Sequence, residues 1–232
     1  MQVSGGNCGA RRRHGAPRGY GPSRRIVNVA LGVGLIAALL PRVAPAQESR
    51  RLVVLGDSLA AGYGLPSNHA FPARLQTALI AAGHAIEVIN AGVSGDTTAG
   101  GLARLDWALG NPAPGFAIVE LGANDALRGL DPAHAYDNLD RIITRLKSRR
   151  VMVLLAGMKA PRNLGRDYAS AFDAIYPRLA AKHGVPLYDF FLDGVAADPG
   201  LNQRDGIHPN ARGVEVIVER ILPYVTRLLA GA

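Results

Sequence analysis

Residues 51–58 read Arg-Leu-Val-Val-Leu-Gly-Asp-Ser, and this stretch indicates the fold class and the place of its chemistry. The four apolar residues 52–55 form a run that is typical of a strand buried on both faces. The run ends at Gly56, where Asp57 and Ser58 begin a polar segment and a predicted helix start. In open parallel sheets, ligands bind beyond the carboxyl ends of the strands. We therefore expect a site beside Ser58.

The rest of the chain repeats this alternation of short apolar runs and longer helix-like stretches. It predicts a three-layer α/β/α sandwich with a five-stranded parallel sheet, for which we expect the flavodoxin-like strand order. Trp107, on the second long helix, is expected to be a packing residue. The predicted strands are 52–55, 86–89, 117–121, 151–155 and 186–190, and the predicted helices are 69–82, 98–109, 132–148, 167–183 and 210–230.

Residues 1–46 have the composition of a secretory signal peptide. They combine an arginine-rich start, an apolar run at 26–40 and the small residues Ala44-Pro45-Ala46. We predict cleavage after Ala46, a single domain over residues 47–232, and a periplasmic or secreted protein. An uncleaved membrane anchor is the alternative, but the apolar run is shorter than the roughly 20 residues that a spanning helix needs.

The net charge of +8 does not indicate a nucleic-acid-binding protein. Seven of the 26 Lys and Arg residues lie in residues 1–46, which contain no acid, so the remainder has 19 basic and 18 acidic residues. A nearly neutral domain has no electrostatic footprint for DNA or RNA. The only cysteine, Cys8, lies in the predicted leader. We expect neither a metal nor a cofactor.

Four polar, glycine-containing segments follow predicted strands, and the carboxyl ends of parallel strands lie at one edge of a sheet. They are Gly56-Asp57-Ser58, Ser94-Gly95-Asp96, Gly122-Ala123-Asn124-Asp125 and, after a loop, Asp205-Gly206-Ile207-His208. The sequence therefore predicts that these four segments meet at one site.

Together the segments contain the groups needed for nucleophilic catalysis at a carbonyl carbon. Ser58 is the expected nucleophile, His208 the base that activates it, and Asp205 the carboxylate that orients the imidazole. The backbone N–H groups of Ser58 and Gly95 and the side-chain amide of Asn124 are the expected donors to an oxyanion. We expect Asp57 and Asp125 to organise the loops through hydrogen bonds.

The order and spacing of these segments resemble the four sequence blocks of the GDSL/SGNH hydrolases. Longer strings are similar to the bacterial subgroup of acyl-CoA thioesterase I, arylesterase and lysophospholipase: AGVSGDTTAGGLARL (91–105), VELGANDALRGL (119–130), AFDAIYPRLA (171–180) and DGIHPN (205–210). The resemblance implies a Ser-His-Asp esterase with a three-donor oxyanion hole and without a metal or cofactor. Ala123 stands where a second glycine is common in the family.

Acyl specificity is expected from the loops around the site. The predicted substrate-binding residues are Leu127, Leu130, Met158, Pro161, Tyr168 and Ile207. They are mostly apolar, which favours lipid or other acyl esters over acetylated polysaccharide as substrates. A carbohydrate O-deacetylase and a non-catalytic periplasmic binding protein remain the alternatives. The apolar content suffices for a monomeric core, and the sequence does not determine the oligomeric state.

Overall fold

The structure, a computed structural model, describes residues 50–231. The predicted signal peptide, its cleavage position and Cys8 lie outside the described residues. Within the described range, none of the helices is both long enough and apolar enough to cross a membrane.

The sheet has five parallel strands in the order β2-β1-β3-β4-β5, which is the flavodoxin-like order expected from the sequence. The three inner strands carry most of the buried apolar surface, and all five residues of β3 are buried. Continuous burial of this kind requires cover on both faces of the sheet. The strands are β1 (Arg50–Gly56), β2 (Ile86–Gly92), β3 (Phe116–Glu120), β4 (Met152–Ala156) and β5 (Leu187–Tyr188).

Nine α-helices accompany the sheet in residues 50–231, together with two short 3-10 turns at Ser67–His69 and Arg162–Leu164. The helices are α1 (Ser58–Ala61), α2 (Phe71–Ala81), α3 (Thr98–Ala103), α4 (Leu105–Leu109), α5 (Ala123–Leu127), α6 (Pro132–Ser148), α7 (Arg166–Asp173), α8 (Ile175–His183) and α9 (Ala211–Ala230).

The long helices form the two outer layers of the sandwich. Helices α2 and α9 pack on each other, and they contact β2 and β4 respectively. Helix α6 packs between α3 and α8 and also contacts β4. Crossovers between parallel strands are almost always right-handed. The β1-to-β2 and β3-to-β4 connections run in opposite directions along the sheet, so this rule places their helices on opposite faces.

Local sequence signals account for where the long helices begin and end. Asp131 accepts a hydrogen bond from the N–H of Ala133 at 2.9 Å and so caps α6, with Pro132 at the first helical position. Asn210 caps α9 by accepting from the N–H groups of Arg212 and Gly213, each at 3.0 Å. Gly184 ends α8 in the left-handed conformation.

Several element boundaries differ from those expected. The predicted helix 167–183 is two helices that break at Ala174, because Pro177 lacks the N–H that would bond the carbonyl of Asp173. The predicted helix 98–109 breaks at Arg104. The predicted fifth strand, 186–190, contains only the two residues that pair with β4.

The expectation for Trp107 was wrong, because 76% of this residue is exposed on α4. Trp107 belongs to a five-residue helix whose buried positions are Leu105 and Leu109. The indole therefore points to solvent rather than to the sheet.

Candidate active site

The structure brings Ser58, His208 and Asp205 into one hydrogen-bonded row. Ser58 begins α1 directly after β1, whereas His208 and Asp205 lie on the loop between β5 and α9. The Nε2 atom of His208 is 3.0 Å from Oγ of Ser58, and its Nδ1 atom is 2.7 Å from Oδ2 of Asp205. This is the geometry in which an imidazole accepts a serine proton while a carboxylate fixes its tautomer.

A tight turn holds Asp205 in its charged form. Its Oδ1 atom accepts hydrogen bonds from the N–H groups of His208 at 3.0 Å and Ile207 at 2.9 Å. These two bonds, with the side-chain bond to His208, lower the pKa of Asp205 from 3.8 to about 2. An anionic carboxylate therefore lies beside the imidazole throughout the physiological pH range.

Tyr63 covers the imidazole and was not identified from the sequence. The ring centroids of Tyr63 and His208 lie 4.6 Å apart, with 37° between the planes. Gln203 donates from Nε2 to the carbonyl oxygen of Tyr63 at 2.7 Å and holds this segment. Tyr63 is 53% exposed, so its ring forms part of the protein surface next to the row. No local pattern distinguishes this tyrosine, because only the folded loop brings it to His208.

The three candidate oxyanion donors lie on three different segments that follow β1, β2 and β3. Gly95 has a φ of +84°, and its turn is closed by a bond from the N–H of Asp96 to the carbonyl of Val93 at 3.1 Å. A residue with a Cβ rarely adopts this left-handed conformation, which accounts for glycine here. Asn124 lies in α5 after β3, and its amide donates to Oδ2 of Asp57 at 3.0 Å and to the carbonyl of Asp96 at 2.9 Å.

Asp57 and Asp125 make the loop contacts expected of them. Asp57 caps α1 by accepting from the N–H of Leu59 at 3.0 Å, and burial raises the pKa of its carboxyl from 3.8 to about 6. Asp125 accepts from the N–H of Thr98 at 2.8 Å and from its hydroxyl at 2.7 Å. The two carboxyls thus tie α5 to the starts of α1 and α3.

Glu120 is a second residue of the site that was not identified from the sequence. It is the last residue of an otherwise apolar strand and belongs to no catalytic motif. It is fully buried at the end of β3, directly opposite Gly56 of β1. Its Oε2 atom lies 3.4 Å from the N–H nitrogen of Asp57, and its Oε1 atom has no partner among the described residues. Burial, and after it the charge of Asp57, raises the pKa of Glu120 well above its usual range.

Gly56 is required beside that carboxyl. A Cβ at position 56 would clash with Oε2 of Glu120 and would lie 2.5 Å from Cβ of Ala60. The glycine that ends β1 therefore leaves the space into which the buried acid extends.

An open cavity of about 770 Å³ begins at Ser58 and His208. Its lining is mostly apolar, which suits an acyl or aryl group better than a sugar. Asn124 also lines the cavity, whereas Gly95 does not.

Four of the six predicted substrate-binding residues, Leu127, Met158, Pro161 and Ile207, line this cavity. Leu130 and Tyr168 do not line it. The hydroxyl of Tyr168 instead donates to the carbonyl of Leu130 at 2.8 Å and ties α7 to the loop after α5.

Sequence reasoning missed one wall of the cavity. Four residues in the loop after β5 also line the cavity: Phe190, Leu192, Ala196 and Ala197. This loop contains no motif, and its position follows only from the short edge strand before it. Among residues 50–231, no three His, Cys, Asp or Glu side chains lie close enough together to hold a metal ion.

Known proteins resemble this chain in sequence and in fold. A sequence profile of the GDSL-like lipase/acylhydrolase family matches residues 54–216. The thioesterase 1/protease 1/lysophospholipase L1 of Escherichia coli K12 is 43% identical over 159 residues, covering 68% of this chain and 75% of that protein. The arylesterase of Vibrio mimicus is 41% identical over 186 residues, covering 80% of this chain and 93% of that protein.

A solved structure extends the likeness to three dimensions. The SGNH-hydrolase family esterase AlinE4 is 50% identical to this chain and superposes with a TM-score of 0.66, covering 78% of this chain and 97% of the other. The fold and the resemblance predicted from the motifs are thereby confirmed. The chain belongs to the GDSL-like lipase/acylhydrolase family and is an ester hydrolase.

Proposed function

We propose that this protein hydrolyses carboxylic esters and thioesters of acyl chains through a Ser58–His208–Asp205 triad and an acyl-enzyme intermediate. The observation that carries the proposal is the hydrogen-bonded row of 3.0 and 2.7 Å at the mouth of an apolar cavity. The identity with an arylesterase and with a thioesterase and lysophospholipase supports the same chemistry.

In the first half of the reaction, Oγ of Ser58 attacks the acyl carbonyl carbon while Nε2 of His208 takes the hydroxyl proton. The tetrahedral intermediate collapses when the imidazolium returns this proton to the leaving alcohol or thiol. A water molecule then repeats the sequence on the acyl-enzyme, which releases the acid and restores Ser58. Asp205, held anionic by its turn, stabilises the imidazolium in both halves.

The oxyanion formed in each half is assigned to the N–H groups of Ser58 and Gly95 and the amide of Asn124. One such donor typically contributes about 3–4 kcal/mol to the transition state. In the structure the Asn124 amide bonds to Asp57 and Asp96, so its donation to an oxyanion would be shared with these acceptors.

The cavity is the proposed acyl site, and its size and apolar lining favour medium or long chains. With the predicted signal peptide, this points to an enzyme of the periplasm or the cell exterior, where lysophospholipids and other acyl esters are the expected substrates. Thioester hydrolysis is then a capability of the same site. Small-molecule or lipid esters are the only partners that the proposal requires.

A chain-length series tests both parts of the proposal. Hydrolysis of p-nitrophenyl esters from acetate to palmitate is measured for residues 47–232 and for Ser58→Ala. We expect an optimum at medium or long chains, and a loss of at least about 10³-fold in kcat for the variant, as for other triad nucleophiles.

A variant that retains most of its activity would exclude Ser58 as the nucleophile. Activity that falls steadily from acetyl to decanoyl esters would contradict the acyl site and favour a deacetylase. If a fluorophosphonate probe fails to label Ser58 and no ester is hydrolysed, the protein binds ligands rather than transforming them.

A further inference from the structure

The side chain of Arg104, at the junction of α3 and α4, joins the segments that carry the Ser58 and Gly95 donors, and Asp96 links the third donor, Asn124, to the same group. This arginine is mostly buried, with 16% of its side chain exposed. It does not line the cavity at Ser58, so it lies behind the donors rather than beside a substrate in that cavity.

Each nitrogen of the Arg104 guanidinium has its own acceptor. Nε lies 2.5 Å from Oδ2 of Asp96, Nη1 donates to the carbonyl of Ala91 at 2.8 Å, and Nη2 donates to the carbonyl of Gly56 at 2.8 Å. One planar group thus joins the end of β1, the end of β2 and the turn that contains Gly95. A lysine could not reproduce this, because its ammonium lacks the fixed fork of the guanidinium.

Asp96 transmits this restraint to Gly95. Its N–H closes the Gly95 turn on the carbonyl of Val93, its carbonyl accepts from the Asn124 amide, and its carboxylate is bound by Arg104. A Cβ on Gly100 of α3 would lie only 2.6 Å from Oδ1 of Asp96, so this glycine leaves room for the carboxylate.

The hydrogen bonds close into a ring. Arg104 connects Gly56 to Asp96, Asn124 connects Asp96 to Asp57, and Asp57 is covalently bonded to Gly56. The ring therefore passes through the residues directly next to Ser58 and Gly95, and through Asn124 itself.

We propose that Arg104 is a positioning residue: it sets the spacing of the Ser58 and Gly95 donors by joining Gly56, Ala91 and Asp96, and the spacing of Asn124 through the carbonyl of Asp96. The inference rests on the function proposed above and assigns to that reaction a residue that touches neither the nucleophile nor the cavity. Small displacements of catalytic groups lower rates steeply, by as much as about 10²-fold for 1 Å. The effect should appear in kcat, since the donors act on the transition state.

Three variants test the ring from different sides. Arg104→Met removes the connection, Arg104→Lys keeps the charge, and Gly100→Ala displaces the Asp96 carboxylate without changing charge. The matched control is Arg149→Met, which removes an ion pair of 2.6 Å between the residue that caps the end of α6 and Asp106 of α4. Among the described residues, the side chains of this pair hydrogen-bond only to each other. Rates are divided by the number of Ser58 sites labelled at completion by a fluorophosphonate, so that only folded protein is counted.

We expect kcat for p-nitrophenyl butyrate to fall about 10- to 100-fold in Arg104→Met, with KM changed less than about threefold. Arg104→Lys and Gly100→Ala should lie between this variant and the wild type, and Arg149→Met should match the wild type. The Ki of a trifluoromethyl ketone, whose adduct with Ser58 carries an oxyanion, should rise in proportion to the fall in kcat/KM.

Full kcat in Arg104→Met would overturn the proposal, as would a rise in KM alone or a Ki that does not follow kcat/KM. If Arg104→Met yields no labelled sites, Gly100→Ala decides by the same criteria. These outcomes are distinct from failure of the proposed function, in which Ser58→Ala would remain active or the wild type would hydrolyse no ester.

Discussion

At the scale of single residues, the surroundings lower the pKa of one carboxyl group near the site and raise the pKa of two others. Asp205 accepts two backbone N–H bonds and has a pKa of about 2, whereas burial raises the pKa of Asp57 to about 6. Glu120 is fully buried with one oxygen unpartnered among the described residues, and its pKa is raised well above the usual value. Only Asp205 is therefore suited to stabilise an imidazolium. Asp57 and Glu120 instead make buried contacts below the site, at the ends of β1 and β3.

Glu120→Gln should make stability less dependent on pH. At a pH between its unfolded-state and folded-state pKa values, a carboxyl whose pKa the fold raises is protonated in the folded protein and ionised in the unfolded chain. Wild-type stability therefore falls as pH rises from about 4.5 towards the folded-state pKa, by at most about 1.4 kcal/mol per pH unit. The glutamine has no such loss. The difference in Tm, variant minus wild type, should grow with pH between about 4 and 8 in calorimetric melts.

The control for this measurement is Glu87→Gln, at an exposed position on β2. The Glu120→Gln variant also introduces an unpaired side-chain amide, which would change Tm by the same amount at every pH. The quantity to compare is therefore the slope of the Tm difference against pH. A difference in Tm that is constant with pH, or that decreases as pH rises, would show that Glu120 is not kept protonated by the fold.

At the scale of elements, the site is assembled from the ends of strands and the short helices that follow them. Helices α1 and α5 have only four and five residues, yet they begin with the segments that contain Ser58 and Asn124. Helices this short are not stable alone. The buried ends of β1 and β3, and caps such as Asp57, hold them in place.

The loop after β5 should limit the length of the acyl chain. Ala196 lines the cavity on the wall that this loop provides, so Ala196→Leu would occupy space otherwise open to substrate. Because each buried methylene contributes about 0.8 kcal/mol, losing room for two of them should lower kcat/KM for decanoyl esters about tenfold. The value for acetyl esters should change little, and the same p-nitrophenyl ester series provides the measurement.

Leu130→Ala is the matched variant for this experiment, because the structure places Leu130 outside the cavity although the sequence predicted it as a substrate residue. Its chain-length profile should match that of the wild type. A changed chain-length optimum in Leu130→Ala, or an unchanged optimum in Ala196→Leu, would contradict the assignment of the acyl chain to this cavity.

At the scale of the whole molecule, the part of the chain that the structure describes, residues 50–231, contains the five-stranded sheet and the residues of the candidate site. The domain predicted to remain after signal cleavage, residues 47–232, contains all of them. A domain with its own core and site is expected to fold and act without additional segments.

We therefore predict that a chain beginning at Gln47 has the Tm of the exported protein and the same kcat/KM within about twofold. N-terminal sequencing of the exported protein should begin at Gln47. Retention of Met1 on the exported protein would instead support the uncleaved anchor.

Much of the fold was predictable because its signals are local. The apolar run before Gly56 and the similar run before Gly122 predict buried strands from their own residues, and the alternation with helices predicts a parallel sheet. Boundaries were less predictable where a distant partner determines them. The fifth strand is two residues long because only Leu187 and Tyr188 pair with β4.

In the candidate site, too, the features with local sequence signals were predictable and those that depend on distant residues were not. Ser58 and Asn124 stand in short motifs directly after strands, and Asp205 and His208 share one short motif in the loop before α9, so the sequence alone predicted which groups form the candidate site. Only the tertiary structure decided four other features of the site. They are the packing of Tyr63 on His208, the burial of Glu120, the hydrogen-bonded ring that includes Arg104, and the part of the cavity lining that the loop after β5 provides. The physical reason is that nucleophile and base chemistry depends on residue type, whereas contact across a cavity, burial and the sharing of hydrogen bonds depend on side chains that the chain brings together from distant positions.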